Sequence, residues 1–241
     1  MTLVYHSING EISMHHRFSR RAVLLSMGGA ALSASMPVRH AFAQMDAEPW
    51  AFLTDDEARW LAAIADIFIP EDDHPSASQA GVVDYIDMQL ATGYGQGQGL
   101  YLQGPFPEGT PEQGWQLPVT PAELIRNGIA AAREETDLAT LPDTDRLTWV
   151  EAFSKREDPI GDAPAQTFFG ELLSLTKEGY FADPIYLGNH DYAGWRMVGF
   201  PGAHAYFTER VGDNAPTKQP PMGIAHGQLG HRAPRPISQE G

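Results

Sequence analysis

The 241-residue chain contains no cysteine. That excludes disulfides, a lipidated N-terminal cysteine, c-type haem attachment, cysteine-ligated iron–sulfur clusters and a thiolate nucleophile. Basic residues are scarce, 16 Lys+Arg against 31 Asp+Glu, for a formal net charge of −15. Such a surface repels phosphate backbones, so no nucleic acid is expected as a partner. Long hydrophobic runs are missing too. AVLLSMGGAALSA (Ala22–Ala34) covers 13 residues, about 20 Å as a helix against roughly 30 Å of bilayer hydrocarbon. No GxSxG elbow is present, and no segment of any length alternates as a strand does.

What is there begins with a leader. Residues 1–43 carry a basic end at Arg17, Arg20 and Arg21, the short apolar run, and AFA (Ala41–Ala43) before an expected cleavage at Gln44. SRRAVLL (Ser19–Leu25) has the Arg20-Arg21 pair of a twin-arginine export signal. A general secretory signal with two chance arginines is the alternative, and Met14 is an alternative start. Twin-arginine export carries folded cargo, so the expected destination is the periplasm.

The body, 44–211, reads as one mainly α-helical, irregular domain with long Gly/Pro-rich loops and no substantial sheet. Thr54 and Glu57 form a capping box ahead of Trp60, Leu61, Ile64, Ile67 and Phe68, an apolar face that Pro70 ends. A second helix is predicted over Ser78–Thr92, with Val82, Val83, Ile86 and Leu90 inward. Thr120, Pro121 and Glu123 open a third. A fourth spans Asp143–Lys155, with Leu147, Val150 and Phe153 buried, and the longest follows Pro164 to Tyr180. Between them, Gly93–Thr120 is loop. Its GxGxG run lacks the preceding strand and following helix that a phosphate-binding turn requires. From 212 to 241 the chain turns to Pro, Gly, Gln and His and reads as a flexible tail that orders only against a partner.

EGYFADPIYLGNHDYAGWRMVGFPG (Glu178–Gly202) holds five glycines and two prolines among its aromatic residues. Gly179 is expected to loosen the end of a helix. Asp183-Pro184 redirects the chain, Gly188 and Asn189 turn it tightly, and Asp191 caps a short helix carrying Trp195 and Val198. The resulting loop–helix–loop presents Phe181, Tyr186, Tyr192, Trp195 and Phe200 in some combination. Aromatic rings on glycine-framed turns suit a protein interface, the domain's own core, or a ligand. His190, Asp191 and His204, with Asp183 upstream, are the nearest set of metal-ligand types, yet no HxxxH or HExxH spacing joins them. No catalytic, cofactor-binding or metal residue is assigned.

FFGELLSLTKEGYFADPIYLGNHDYAGWRMVGFPG (Phe168–Gly202) resembles the gluconate 2-dehydrogenase subunit 3 family, as does LTDDEARWLAAIADIFIP (Leu53–Pro70) behind an export signal. The resemblance implies a non-catalytic small subunit of a periplasmic, inner-membrane-associated dehydrogenase acting on gluconate, fructose, glucose or similar polyols. It implies no cofactor in this chain and FAD in a large partner subunit of the glucose–methanol–choline type. In many such complexes a multi-haem cytochrome c subunit, carrying haem c, passes electrons to quinone. The small subunit's signal would then export the folded flavoprotein as well. The interface candidates are Phe181, Asp183, Tyr186, Asn189, Tyr192, Trp195 and Phe200. Two rivals remain: a metalloenzyme using His190, Asp191 and His204, and a carbohydrate-binding module stacking sugars on Trp195 and Tyr186.

Overall fold

Reciprocal capping starts two of the helices. In the computed structural model, which describes residues 50–107, 109–110, 113–204, 212 and 219–224, Glu57 N–H donates to the Thr54 hydroxyl at 3.2 Å. Thr54 N–H in turn donates to the Glu57 carboxylate at 2.8 Å. The first helix, α1, follows over Asp55–Phe68. Then come α2 (Val82–Ala91), α3 (Pro121–Glu135), a 3-10 turn (Leu138–Thr140), α4 (Asp143–Phe153), α5 (Ala165–Phe181) and α6 (Ala193–Val198). Thr120 and Glu123 repeat the capping exchange at the start of α3, with Pro121 in its first turn. The expected mainly α-helical class is what the structure shows. Among the described residues no strand forms, and only the isolated bridges Ile160–Ala163 and Gly202–Met222 pair extended backbone.

The body is organised around α5, which packs against α1, α2, α3 and α6. Its Phe168 is fully buried and stacks on Trp60 of α1, with ring centroids 6.2 Å apart. Phe153 of α4 reaches the same ring at 5.8 Å. Side chains sunk this far stabilise the fold by roughly 1.5–3 kcal/mol each. The helices approach closely where a side chain is missing. A Cβ on Gly128 of α3 would lie 2.6 Å from the Phe168 ring.

Two sequence expectations need correction in this body. Leu147 is 46% exposed rather than buried, because α4 turns Trp149 inward, edge-on to Trp60 at 6.2 Å. Gly179 does not loosen the end of α5, which continues to Phe181. Its missing side chain admits Tyr85 of α2, whose ring would stand 2.9 Å from an added Cβ.

A buried carboxylate secures the segment ahead of α1. Asp87, on α2 and fully buried, accepts the backbone N–H groups of Ala51, Phe52 and Leu53 at 2.9, 2.8 and 3.0 Å. The long loop is tied down at both ends: Ala122 N–H donates to Gly95 C=O at 3.0 Å, and Trp115 Nε1–H donates to Val119 C=O at 2.9 Å. Its GxGxG run sits among turns, as expected. Among the described residues no helix is long and apolar enough to cross a membrane. Residues 1–43, the expected leader with Arg20 and Arg21, lie outside the described residues.

Candidate functional site

Directly after α5 the chain enters a loop built against ordinary backbone preference. Asp183 accepts the N–H of Ile185 at 3.0 Å, which starts the 3-10 turn Pro184–Tyr186. Leu187, Asn189, Asp191 and Tyr192 then adopt positive φ of 75°, 52°, 51° and 59°. Among the described residues these are the non-glycine residues with left-handed backbone. Each such residue costs about 1–2 kcal/mol, and strain of this kind persists only where the surroundings over-determine it.

Those surroundings are hydrogen bonds from the loop's own polar groups. Asn189 is fully buried; its amide donates to Ala182 C=O at 2.7 Å and its carbonyl oxygen accepts Gly194 N–H at 2.8 Å. Trp195 Nε1–H donates to Phe181 C=O at 2.7 Å. His190 Nε2 meets Leu187 C=O at 2.7 Å, so that nitrogen carries the proton, and His190 N–H donates to Ala80 C=O at 2.9 Å. Gly81 lies under the imidazole: a Cβ there would come within 2.5 Å of the ring. Gly188 serves close packing rather than left-handed backbone, since a Cβ would stand 2.2 Å from Gly179 C=O.

The expected cap also changes hands. Asp191 does not cap α6, because it is itself left-handed and the residue before the helix is Tyr192. Asn189 takes the helix's Gly194 N–H instead. At the far end Gly199, with φ 70°, closes α6 as expected.

The seven interface candidates therefore divide. Asn189 and Trp195 are interior, with Trp195 only 6% exposed. They hold the loop together and do not present themselves to a partner. Asp183 and Tyr192 are half-buried, while Phe181, Tyr186 and Phe200 are exposed at 37%, 53% and 47%. Met197 and Val198 of α6, whose residue types carry no surface signal, are exposed as well. Phe200 stands edge-on to Trp195, with centroids 5.0 Å apart, and Tyr192 stacks on the same indole at 5.4 Å.

The tail is not wholly free of the body. Met222 N–H donates to Pro201 C=O at 3.1 Å, and Ala203 N–H returns a bond to Met222 C=O at 2.7 Å. Gly223 N–H donates to the Tyr192 hydroxyl at 3.1 Å, and Ile224 N–H to the Asp183 carboxylate at 2.7 Å. At 219–224 the backbone thus pairs with the loop, and the rest of the expected flexible tail, apart from Gly212, lies outside the described residues. His226 and His231 lie outside the described residues.

The metal reading finds no assembled ligand set. Among the described residues no group of His, Asp and Glu is placed to hold an ion, and His190 is turned into the loop. The stacking platform for a sugar also weakens, because Trp195 is buried.

A shallow groove of about 370 Å³ flanks the loop, lined by Tyr85 and Gln89 of α2, Glu178 and Phe181 of α5, and Ala182, Asp183 and Tyr186 beyond. Tyr85 donates to Glu178 at 3.2 Å, and burial, then the Glu178 charge, pushes the Tyr85 phenol up. No curated protein and no solved structure matches the chain. Residues 55–202, from the first turn of α1 to the end of this loop, match the family model of gluconate 2-dehydrogenase subunit 3. That is more than half of the sequence, and the chain belongs to that family.

Proposed function

We propose that this chain is the non-catalytic small subunit of a membrane-associated, FAD-dependent dehydrogenase of the gluconate, fructose or glucose type. It escorts the folded flavoprotein subunit through twin-arginine export and stabilises it in the periplasm. FAD belongs to that large, glucose–methanol–choline-type subunit; a multi-haem cytochrome c subunit completes the assembly where one is present. The family's own name makes it a subunit of a dehydrogenase complex.

One observation carries the docking role. The side chains of Asn189, His190 and Trp195 are committed to the loop's own backbone, while Phe181, Tyr186, Met197, Val198 and Phe200 are exposed beside the charged Asp191 and Arg196. An interface needs a fixed backbone with aromatic side chains outside it, and that is the arrangement here.

The test is purification of the tagged full chain from the periplasm, with the flavin spectrum and haem content recorded. A stoichiometric flavoprotein, lost from the periplasm when Arg20 and Arg21 are both changed to Lys, is the expected result. A lone, folded, colourless chain overturns the reading.

A further inference from the structure

The groove beside the loop combines aromatic walls with carboxylates that no ion pair among the described residues engages. Glu178 is held in place from two sides, by Tyr85 Oη–H at 3.2 Å and by Ser174 Oγ–H at 2.9 Å. Asp183 accepts only backbone N–H groups, from Ile185 and Ile224. The ion pairs found among the described residues engage Arg59, Arg126, Arg133, Arg146 and Arg156, and none reaches Glu171, Glu178 or Asp183. One turn pair back on α5, the Glu171 carboxyl is pushed up to about 7, by burial first and then by the Glu178 charge. Among the described residues, then, these carboxylates have no ion-pair partner. Phe181 and Tyr186 stand exposed at the groove's edge, and Ile224, hung from Asp183 and 64% exposed, extends that apolar rim.

We propose that this groove receives a cationic side chain, lysine or arginine, from the dehydrogenase subunit. Its aliphatic stem lies along Phe181 and Tyr186, and its charged head reaches Glu178. The chemistry follows from the two surfaces together. An apolar stem with a charged tip covers aromatic rings while keeping its head on a carboxylate, and a cation is attracted to ring faces as well. An uncharged apolar side chain would bury the Glu178 charge with hydroxyl donors but no counter-ion, which is unfavourable. An acidic one would be repelled. The inference rests on the subunit reading above and names the partner chemistry at that surface.

The test uses the full chain and its dehydrogenase subunit, with dissociation constants measured at low and high salt. Glu178→Gln keeps an acceptor for Tyr85 and removes the charge; Glu178→Lys reverses it; Tyr186→Ala removes one wall. Charge reversal is expected to weaken binding at least about 50-fold, and neutralisation about 10-fold, as for close charge pairs at interfaces. The gap between wild type and Glu178→Gln should narrow at high salt, while the Tyr186→Ala loss should not. Unchanged dissociation constants in folded Glu178→Lys protein, with the wild type binding normally, overturn this inference alone. So does a self-association of this chain that Glu178→Lys abolishes while partner affinity stays constant. A wild-type chain that binds no dehydrogenase subunit removes the subunit reading, and this inference with it.

Discussion

The helical body and the loop after α5 are held by opposite means. In the body, apolar side chains meet one another: Trp60, Phe153 and Phe168 pack as a continuous aromatic cluster, and polar groups mostly close helix ends. In the loop, Asn189, His190 and Trp195 reach inward to backbone groups, and Phe181, Tyr186 and Phe200 face out. A core of the first kind gains stability by removing apolar surface from water. A loop of the second kind fixes a backbone shape while leaving apolar surface available. The body is the support, and the loop is what it supports.

That contrast can be broken from either side. The largest effect belongs to the body. Trp60→Ala removes the ring shared by α1, α4 and α5 and should cost about 4 kcal/mol, like other large-to-small core changes. Denaturant unfolding measures it, and the transition should stay single. Asn189→Ala attacks the loop by removing both of its bonds, to Ala182 C=O and from Gly194 N–H. A loss of about 2 kcal/mol is expected. It should be concentrated locally, so amide exchange quickens at Gly194 while amides in α1 stay protected.

The third effect is a pH dependence on α5, within the body. Burial holds the Glu171 carboxyl at about 7 in the folded chain, above the ordinary 4.5. Between those values the folded state keeps a proton that the unfolded chain has released. Its contribution to stability is therefore complete below the unfolded value and is lost as pH rises through about 7. Glu171→Gln stays neutral throughout. It should stabilise the chain by about 1 kcal/mol at about pH 8, a figure discounted for the solvent that still reaches this group, and by nothing at about pH 4. Thermal melts at the two pH values test the sign. The smallest effect is at the surface: Tyr186→Ala should change folding stability by no more than about 0.5 kcal/mol, in contrast to its expected effect on partner affinity.

Where local chemistry decides the structure, the residues announce it. The two capping boxes, Pro121 in the first turn of α3 and the Gly199 terminus could all be read without coordinates, since each acts within a few positions of itself. Leu147 could not, because Trp149 on the same helix wins the inward position through contacts with the distant Trp60. Asp87 was equally illegible. Its partners are backbone amides 34–36 positions away, and backbone donors carry no residue-specific signal. In the loop, Asn189 reads as a tight turn because asparagine tolerates left-handed backbone. Nothing about Leu187, Asp191 or Tyr192 as residue types could have named them to join it. Their conformations are imposed by the anchors at Asn189, His190 and Trp195. The same anchoring moves Asn189 and Trp195 from the surface, where aromatic and polar composition had put them, to the interior.

The central claim is that the outward aromatic side chains of this loop bind the flavoprotein and that the fold does not need them. The most direct measurement is the flavin recovered per chain when the tagged Tyr186→Ala/Phe200→Ala double variant is purified from the periplasm beside the wild type. The account predicts a melting temperature close to wild type and at least about a tenfold loss of flavin, as expected when interface anchors are removed. Equal flavin recovery by a folded double variant would contradict it.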